Sequence, residues 1–486
     1  MPRIEYSNFL EGADVMLSPF LMADNKLEIL DNCLISYKLG TITKRPGYSK
    51  VGDTLEANKS ITGLHNFRQS SSVQKILATV NNSTGANLVL AYNNAGTWAD
   101  ISVGTTYDTF EDAKTEFEDF IGYCFIVGYD STDSVFLPVG SLTGTTFSTS
   151  TNVTSMPQGK YIIRYRDRLY VLNAYYSAAA YPYRAYYSSV PVAGAITWTP
   201  ATDFIDVDYS EQITGAGVNW DRLIMFTEYS AYMFDQLSKR KVWDIGCSNH
   251  RTIKNAGAMM IWANRDGVWI STGGRPENVA GRVLDFIKAG NPLNFFAEVV
   301  DEEYHLYVGT VTVNGITYTN TTLIFNIPTG TWRWHEYSDN MTVFAAYNSS
   351  GILRLYMGAA DGDVHDLSKY TDTSPVWSDN TAAIQAFFRT KPFNFGMAEN
   401  YKGVKKMYAF TDRAQGLNIK MLVKDKNAVD ILKPQKVGQL TKFITETTPA
   451  LDNAKFVQFE GVENSTNAYF SLYGFVFDVE LATKKR

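Results

Sequence analysis

The chain is poor in the residues that usually carry chemistry. It has three cysteines in 486 residues, Cys33, Cys124 and Cys247, far apart and odd in number. That spacing excludes a disulfide framework and a Cys-x-x-Cys metal knuckle, and leaves buried, reduced thiols. Its five histidines (His65, His250, His305, His335 and His365) are scattered, and none belongs to a His-Glu-x-x-His pair. The phosphate-cradling G-x-x-x-x-G-K-[ST] and the nucleophile-bearing G-x-S-x-G are absent. Only 19% of residues are charged, and a net charge of −6 lacks the basic face of a general nucleic-acid binder. A conduit through which DNA slides without sticking stays compatible with that charge. No apolar run approaches the roughly 18 residues of a membrane helix. The opening MPRIEYSNFLEGADVML places charges too early for a secretory signal. These features predict a protein made and assembled in a cytoplasm, with no membrane partner and no cofactor.

Aromatic residues are abundant, at 14% of the chain with Tyr 30 and Phe 28, alongside Gly 35. This is strand-and-turn composition. From about residue 60 the same local order recurs: an alternating apolar strand, a tight turn with Asp, Asn or Gly, a second strand and a looser loop. YIIRYRDRLYVLNAYY (161–176), GVNWDRLIMFTEYSAYMFD (217–235), AMMIWANRDGVWIST (258–272), FFAEVVDEEYHLYVGTV (295–311) and VFAAYNSSGILRLYMGAADGDVHDL (343–367) all show it. Repeats 30–50 residues apart point to four-stranded sheets set around an axis, an all-β β-propeller of about six blades over residues 60–370. Trp98, Trp198, Trp243, Trp332 and Trp334 sit where a large ring would fill the wedge between blades. Two segments break the pattern and predict helices, about Thr109 to Phe120 and within VAGRVLDFIKAGNPL (279–293). A Ser/Thr/Asp-rich linker at 371–383 precedes a C-terminal β-sandwich at 384–486, which is lysine-rich and ends in Lys484-Lys485-Arg486.

Ahead of the repeats, residues 1–59 read as an N-terminal arm ending in Lys44-Arg45-Pro46-Gly47-Tyr48. Pro46 lacks a donor and disfavours helix before it, and Gly47 permits a tight turn, so the arm should end in a fixed turn. Arg164, Arg166 and Arg168 alternate at period two and would project from one strand face until the turn at Asp167 intervenes, as a solvated edge salt-bridged to its neighbours or as a contact for a subunit or a DNA phosphate. Lys239-Arg240-Lys241 is a weaker basic run. Asp361-Gly362-Asp363 with Asp366 lacks the twelve-residue calcium pattern and reads as a hairpin turn. Carboxylates for glycoside hydrolysis could come from Asp301, Glu302 and Glu303, or from Glu116, Glu118 and Asp119. No set stands out from an acidic surface, so no catalytic residue is assigned and an enzyme is not expected.

The layout resembles the tail hub, or packaged-DNA-stabilisation, proteins of short-tailed bacteriophages. LGTITKRPGY (39–48) is similar to the N-terminal Lys-Arg-Pro turn of tail nozzle proteins. VNWDRLIMFTEYSAYMFD (218–235), MMIWANRDGVWIS (259–271) and TLIFNIPTGTWRWHEY (322–337) resemble consecutive hairpins of the hub family. The resemblance implies a non-enzymatic virion protein forming a closed ring, expected to be sixfold, below the portal and adaptor. Such a ring would continue and plug the channel for packaged double-stranded DNA, and would hold needle, fibre or spike proteins. It also implies that Lys44, Arg45, Pro46, Gly47, Tyr48, Arg164, Arg166 and Arg168 face partners. The contrasting expectations are a carbohydrate-binding or glycan-degrading propeller, with converging carboxylates in a deep central pocket, and a cytoplasmic scaffold unrelated to phages.

Overall fold

The computed structural model describes residues 3–481 apart from 15–16, 37–39, 71–72, 83–86, 95, 108–109, 111–112, 350, 370, 396–401, 415, 424–428, 433–440, 445–455 and 467. Lys484-Lys485-Arg486 lie outside the described residues, as does the start of the helix expected from Thr109. The chain is nearly all β, and no helix among the described residues is long and apolar enough to cross a membrane.

Among the described residues between 61 and 367 the strands form seven successive antiparallel units, six with four or five strands and the seventh with three, one unit more than the repeat spacing predicts. The first runs Ile61–Arg68, Gln74–Asn81, Leu88–Asn94 and Thr97–Ile101. Later units open with Lys114–Phe120, Gln158–Tyr165, Gly215–Asn219, Lys254–Ala256, Phe296–Val300 and Met341–Ser349. Each opening strand adjoins the opening strand of the next unit, and that of the seventh adjoins that of the first. In the second unit the sequence predicts a helix where the opening strand lies. Lys114–Phe120, KTEFEDF, carries three acids in seven residues, yet pairs in full register with Tyr123–Asp130. The helix expected within 279–293 is present as Leu284–Ala289, stopped at Gly290.

The seventh unit has only three strands of its own, Met341–Ser349, Ile352–Ala359 and Val364–Leu367. Its fourth is Tyr48–Lys50, antiparallel to Val364–Leu367. The expected arm is therefore built into the fold. Leu27–Asp31 joins the outer strand of the sixth unit to Ala386–Thr390, and so links that unit to the sheet of Val457–Glu463 and Asn418–Val423. Cys33–Ser36 and Thr41–Lys44 extend a second C-terminal sheet through Phe470–Leu481, against whose other end Arg3–Ser7 also pairs. Phe388, Phe459, Phe470, Phe475 and Phe477 pack between these two sheets, in a core that continues to Trp332 and Trp334. The division into an arm (1–59), a linker (371–383) and a separate C-terminal domain misses this. Short strands near the N-terminus lack the alternation of a free-standing hairpin, because their partners lie hundreds of residues away.

Tryptophans do fill gaps between units. Trp198 packs between the second and third, and Trp243 stacks on Trp262 at 5.7 Å between the fourth and fifth. Trp98 donates to the Val51 carbonyl at 2.9 Å, fastening the first unit to the chain leaving the closing strand.

Candidate functional site

Lys44 and Arg45 are both fully buried, although each carries a charge that water would otherwise solvate. Each is buried because it has a built partner. Lys44 Nζ lies 2.5 Å from Glu463 Oε2 and donates to the Ser465 carbonyl at 2.7 Å. Arg45 uses all five N–H groups. Nε donates to Asn32 Oδ1 at 2.8 Å, Nη1 to Asp379 Oδ1 at 2.7 Å and the Pro46 carbonyl at 3.0 Å, and Nη2 to Asp379 Oδ2 and the Glu336 carbonyl, both at 2.6 Å. A planar fork satisfied at every donor is a geometry lysine cannot copy. Gly47 passes so close to Ser378 that a Cβ would lie 1.9 Å from its carbonyl oxygen. Tyr48 donates to Asp339 Oδ2 at 2.8 Å, and burial pushes its hydroxyl well above the usual range. The five residues form an internal joint between the closing strand, the sixth unit and the C-terminal sheets. They are not an external contact.

The three arginines do not share a face. Tyr165 pairs with Arg168, and the hairpin turns at Arg166-Asp167, with Arg166 at φ 51°. Arg164 is exposed beside the Phe120 ring. Arg166 forks onto Asp221 and reaches Gln236 Oε1 at 2.7 Å, tying the third unit to the fourth. Arg168 donates to the Ser188 carbonyl at 2.7 Å. Lys239, Arg240 and Lys241 are exposed on the outer strand of the fourth unit, where charge discourages edge-to-edge pairing.

The site that sequence reading missed lies where the seven opening strands meet. A cavity of about 550 Å³ is lined by His65, Glu116, Glu118, Arg164, His250, Arg251, Lys254 and Glu298, with apolar residues from all seven units. Arg251 crosses it, donating from Nε to Glu116 Oε1 at 2.7 Å and from Nη2 to the Thr62 and Thr115 carbonyls at 2.8 and 2.9 Å. Lys254 Nζ lies 3.0 Å from Glu298. Burial would raise Glu116, but Arg251 with His250 and Lys254 pulls it below the ordinary carboxylate value. Glu118 lacks so close a cation, and burial holds it up at about 7. Burial lowers His250 to about 4, so it stays neutral and accepts from the Ala216 amide at 3.2 Å. The only available signal was positional: His65, Glu116, Glu118, Arg164, Lys254 and Glu298 sit on the first strands of their repeats, while His250 and Arg251 sit on the short turn His250–Thr252 just before the fifth.

The remaining sequence candidates are structural. Glu303 takes a two-pronged contact from Arg333 at 2.8 and 2.6 Å, Asp301 pairs with Lys369, and Asp363 lies 2.9 Å from Lys50. Burial lowers His305 to about 4 and His335 further. Burial lifts Asp366 to about 6 despite Arg354.

No family model matches the sequence, and no curated protein matches it. Among solved structures, the chain is similar to PorZ, an essential surface component of the type-IX secretion system of Porphyromonas gingivalis. The identity is 11% and the TM-score 0.40, covering 74% of this chain and 45% of that one. It is also similar to the AfRom2 CNH domain, at 6% identity and TM-score 0.40, covering 67% of this chain and all of that one. The chain thus spans less than half the length of the PorZ structure.

Proposed function

We propose that the seven units are the blades of a β-propeller closed by Tyr48–Lys50, and that the protein is a structural ring subunit of a phage tail. In this reading the ring lies below the portal and adaptor, extends and closes the DNA channel, and carries distal tail proteins. The observation that carries the reading is a set of large apolar side chains held out to solvent at the turns of the sheets. Trp220 is 61% exposed and Leu237 94%, on two turns of the fourth unit that Arg166 ties together through Asp221 and Gln236. Val192, 76% exposed, stands on the long loop of the third unit. Large apolar groups at exposed turns suit repeated subunit contacts, and closed rings need such heterologous patches. With Lys44–Tyr48 internal, these turns replace the arm as the contact surface.

The test is mass photometry and negative-stain microscopy of the purified chain, alone and with a portal–adaptor complex. Rings that disappear in a Trp220→Asp/Leu237→Asp variant are expected. A wild-type chain that stays monomeric at micromolar concentration and ignores the connector overturns the reading.

One group favours a second reading, a glycan-binding or glycan-cleaving propeller. Glu118 at about 7 keeps a substantial protonated fraction at neutral pH, as a general acid requires. The other cavity carboxylates, Glu116 and Glu298, are matched to Arg251 and Lys254, which ties up the partner base. Reducing-sugar release from bacterial surface polysaccharide, abolished by Glu118→Gln, would establish this second reading; no release by the wild type removes it.

A further inference from the structure

Three metal-ligating side chains of different chemistry converge at the seam between the first two sheets. His65 lies on Ile61–Arg68, Asp119 on Lys114–Phe120, and Cys124 on the partner strand Tyr123–Asp130, directly opposite Asp119. One donor atom from each, an imidazole nitrogen, a carboxylate oxygen and the Cys124 sulfur, lies within 4.8 Å of the other two. We propose that His65, Asp119 and Cys124 form a site for a thiophilic divalent metal ion of the zinc class, which would staple the first sheet to the second.

Several features fit that ion and not others. His65 Nε2 already lies 2.9 Å from Asp119 Oδ1. Tetrahedral zinc, with bonds of about 2.0–2.3 Å, places its ligand atoms roughly 3.3–3.7 Å apart, so the cluster needs to move by less than a side-chain torsion allows. The His65 ring stacks on Phe117, with centroids 5.5 Å apart and planes 11° apart, which fixes the direction of its lone pair. The other Asp119 oxygen, Oδ2, accepts the Arg68 amide at 2.8 Å, orienting the carboxylate as second-shell partners of metal ligands do. The His65 and Asp119 side chains are 23% and 26% exposed, giving an ion a route in, while Cys124 is fully buried beneath them. A sulfur ligand selects against magnesium and calcium, which take oxygen donors. Three protein ligands leave the fourth position to water.

Binding must release one proton. The Cys124 thiol loses its hydrogen to solvent as the sulfur–metal bond forms, and His65 binds as the neutral imidazole through Nε2, its remaining proton on Nδ1. Thiolate and carboxylate then cancel the charge of the ion, so the buried site ends neutral.

The experiment titrates cobalt(II), as a spectroscopic stand-in for zinc, into the full-length chain under reducing conditions. The expected result is one equivalent bound per chain, with a thiolate-to-cobalt charge-transfer band and the strong visible bands of tetrahedral cobalt, both displaced by zinc. Cys124→Ser should remove the charge-transfer band. His65→Gln, at a position 23% exposed, should weaken cobalt binding more than tenfold. Cys247→Ala should leave the spectrum unchanged. A folded wild-type chain that gives no charge-transfer band at micromolar cobalt overturns the proposal, as does a band that survives both Cys124→Ser and His65→Gln.

Discussion

Replacing Arg45 is the sharpest way to probe the joint between the repeated sheets and the C-terminal sheets. In Arg45→Ala, Asp379, 3% exposed, keeps its charge and loses both Nη contacts. The Glu336 and Pro46 carbonyls and Asn32 Oδ1 lose donors as well. Breaking a buried pair from one side costs roughly 3–5 kcal/mol. If the chain unfolds as one unit, about 2.1 cal/mol/K per residue gives an unfolding entropy near ~1 kcal/mol/K for a chain of this length. The melting temperature should then fall by about 3–5 °C, and by more if the joint lets one half melt first. Arg45→Lys should fall between, because a point charge reaches one Asp379 oxygen and abandons the fork. Arg45→Met/Asp379→Leu should recover at least half of the loss, since two apolar side chains leave no buried charge. Calorimetry with circular dichroism reads all three. An Arg45→Ala melt within 1 °C of wild type, or a double variant worse than the sum of the singles, refutes the reasoning.

Gly47→Ala puts a methyl 1.9 Å from the Ser378 carbonyl, on backbone that cannot retreat without breaking the Tyr48–Asp379 bridge; denaturant titration should show a loss of several kcal/mol, on the scale of severe overpacking. His305 is neutral and buried when folded, with its value lowered from 6.5 to about 4; the unfolded chain takes up the proton first, so stability is complete above pH 6.5, falls as pH drops toward 4, and levels off below. At 1.36 kcal/mol per unit that is about 3 kcal/mol, and a urea midpoint that falls no less steeply between pH 6.5 and 4 in His305→Gln would disprove it. Deleting residues 1–50 removes the closing strand and both buried cations, so an aggregated product without a cooperative melt is expected; a soluble, cooperatively folding product would show that the N-terminal strands are dispensable. Arg251→Met should raise the Glu116 carboxyl by removing its main attracting charge, visible as a new titration in carbon-13 carboxyl spectra.

Local signals were legible because they need only neighbours. Hairpins such as Met259–Asn264 with Gly267–Ser271 announce themselves through alternation and an Asp-Gly turn. Lys114–Phe120 did not, since its acids at Glu116, Glu118 and Asp119 mimic a solvated helix face. In the fold those acids face Arg251, Arg164 and His65 on other elements, and a single segment cannot display partners 46 to 135 residues away. The basic pair was misread for the same reason. Lys44-Arg45 looks like an exposed hook until Glu463 and Asp379 are placed beside it.

The consequence reaches beyond misreading. Tyr48–Lys50 pairs with Val364–Leu367, so the seventh unit cannot gain its fourth strand until more than 300 intervening residues have been brought together. Such non-local pairing is slow to form and gives little reward before closure. Arg45 and Asp379 then bind the closing strand to the segment that follows the seventh unit, and Lys44 with Glu463 binds it to the C-terminal sheet. The fourth strand of the seventh unit and the C-terminal sheet are thus tied together by two buried charge pairs in consecutive residues. A partner that pulled on the C-terminal sheets would load Lys44–Glu463 directly, and through Lys44 the strand that keeps the seventh unit complete.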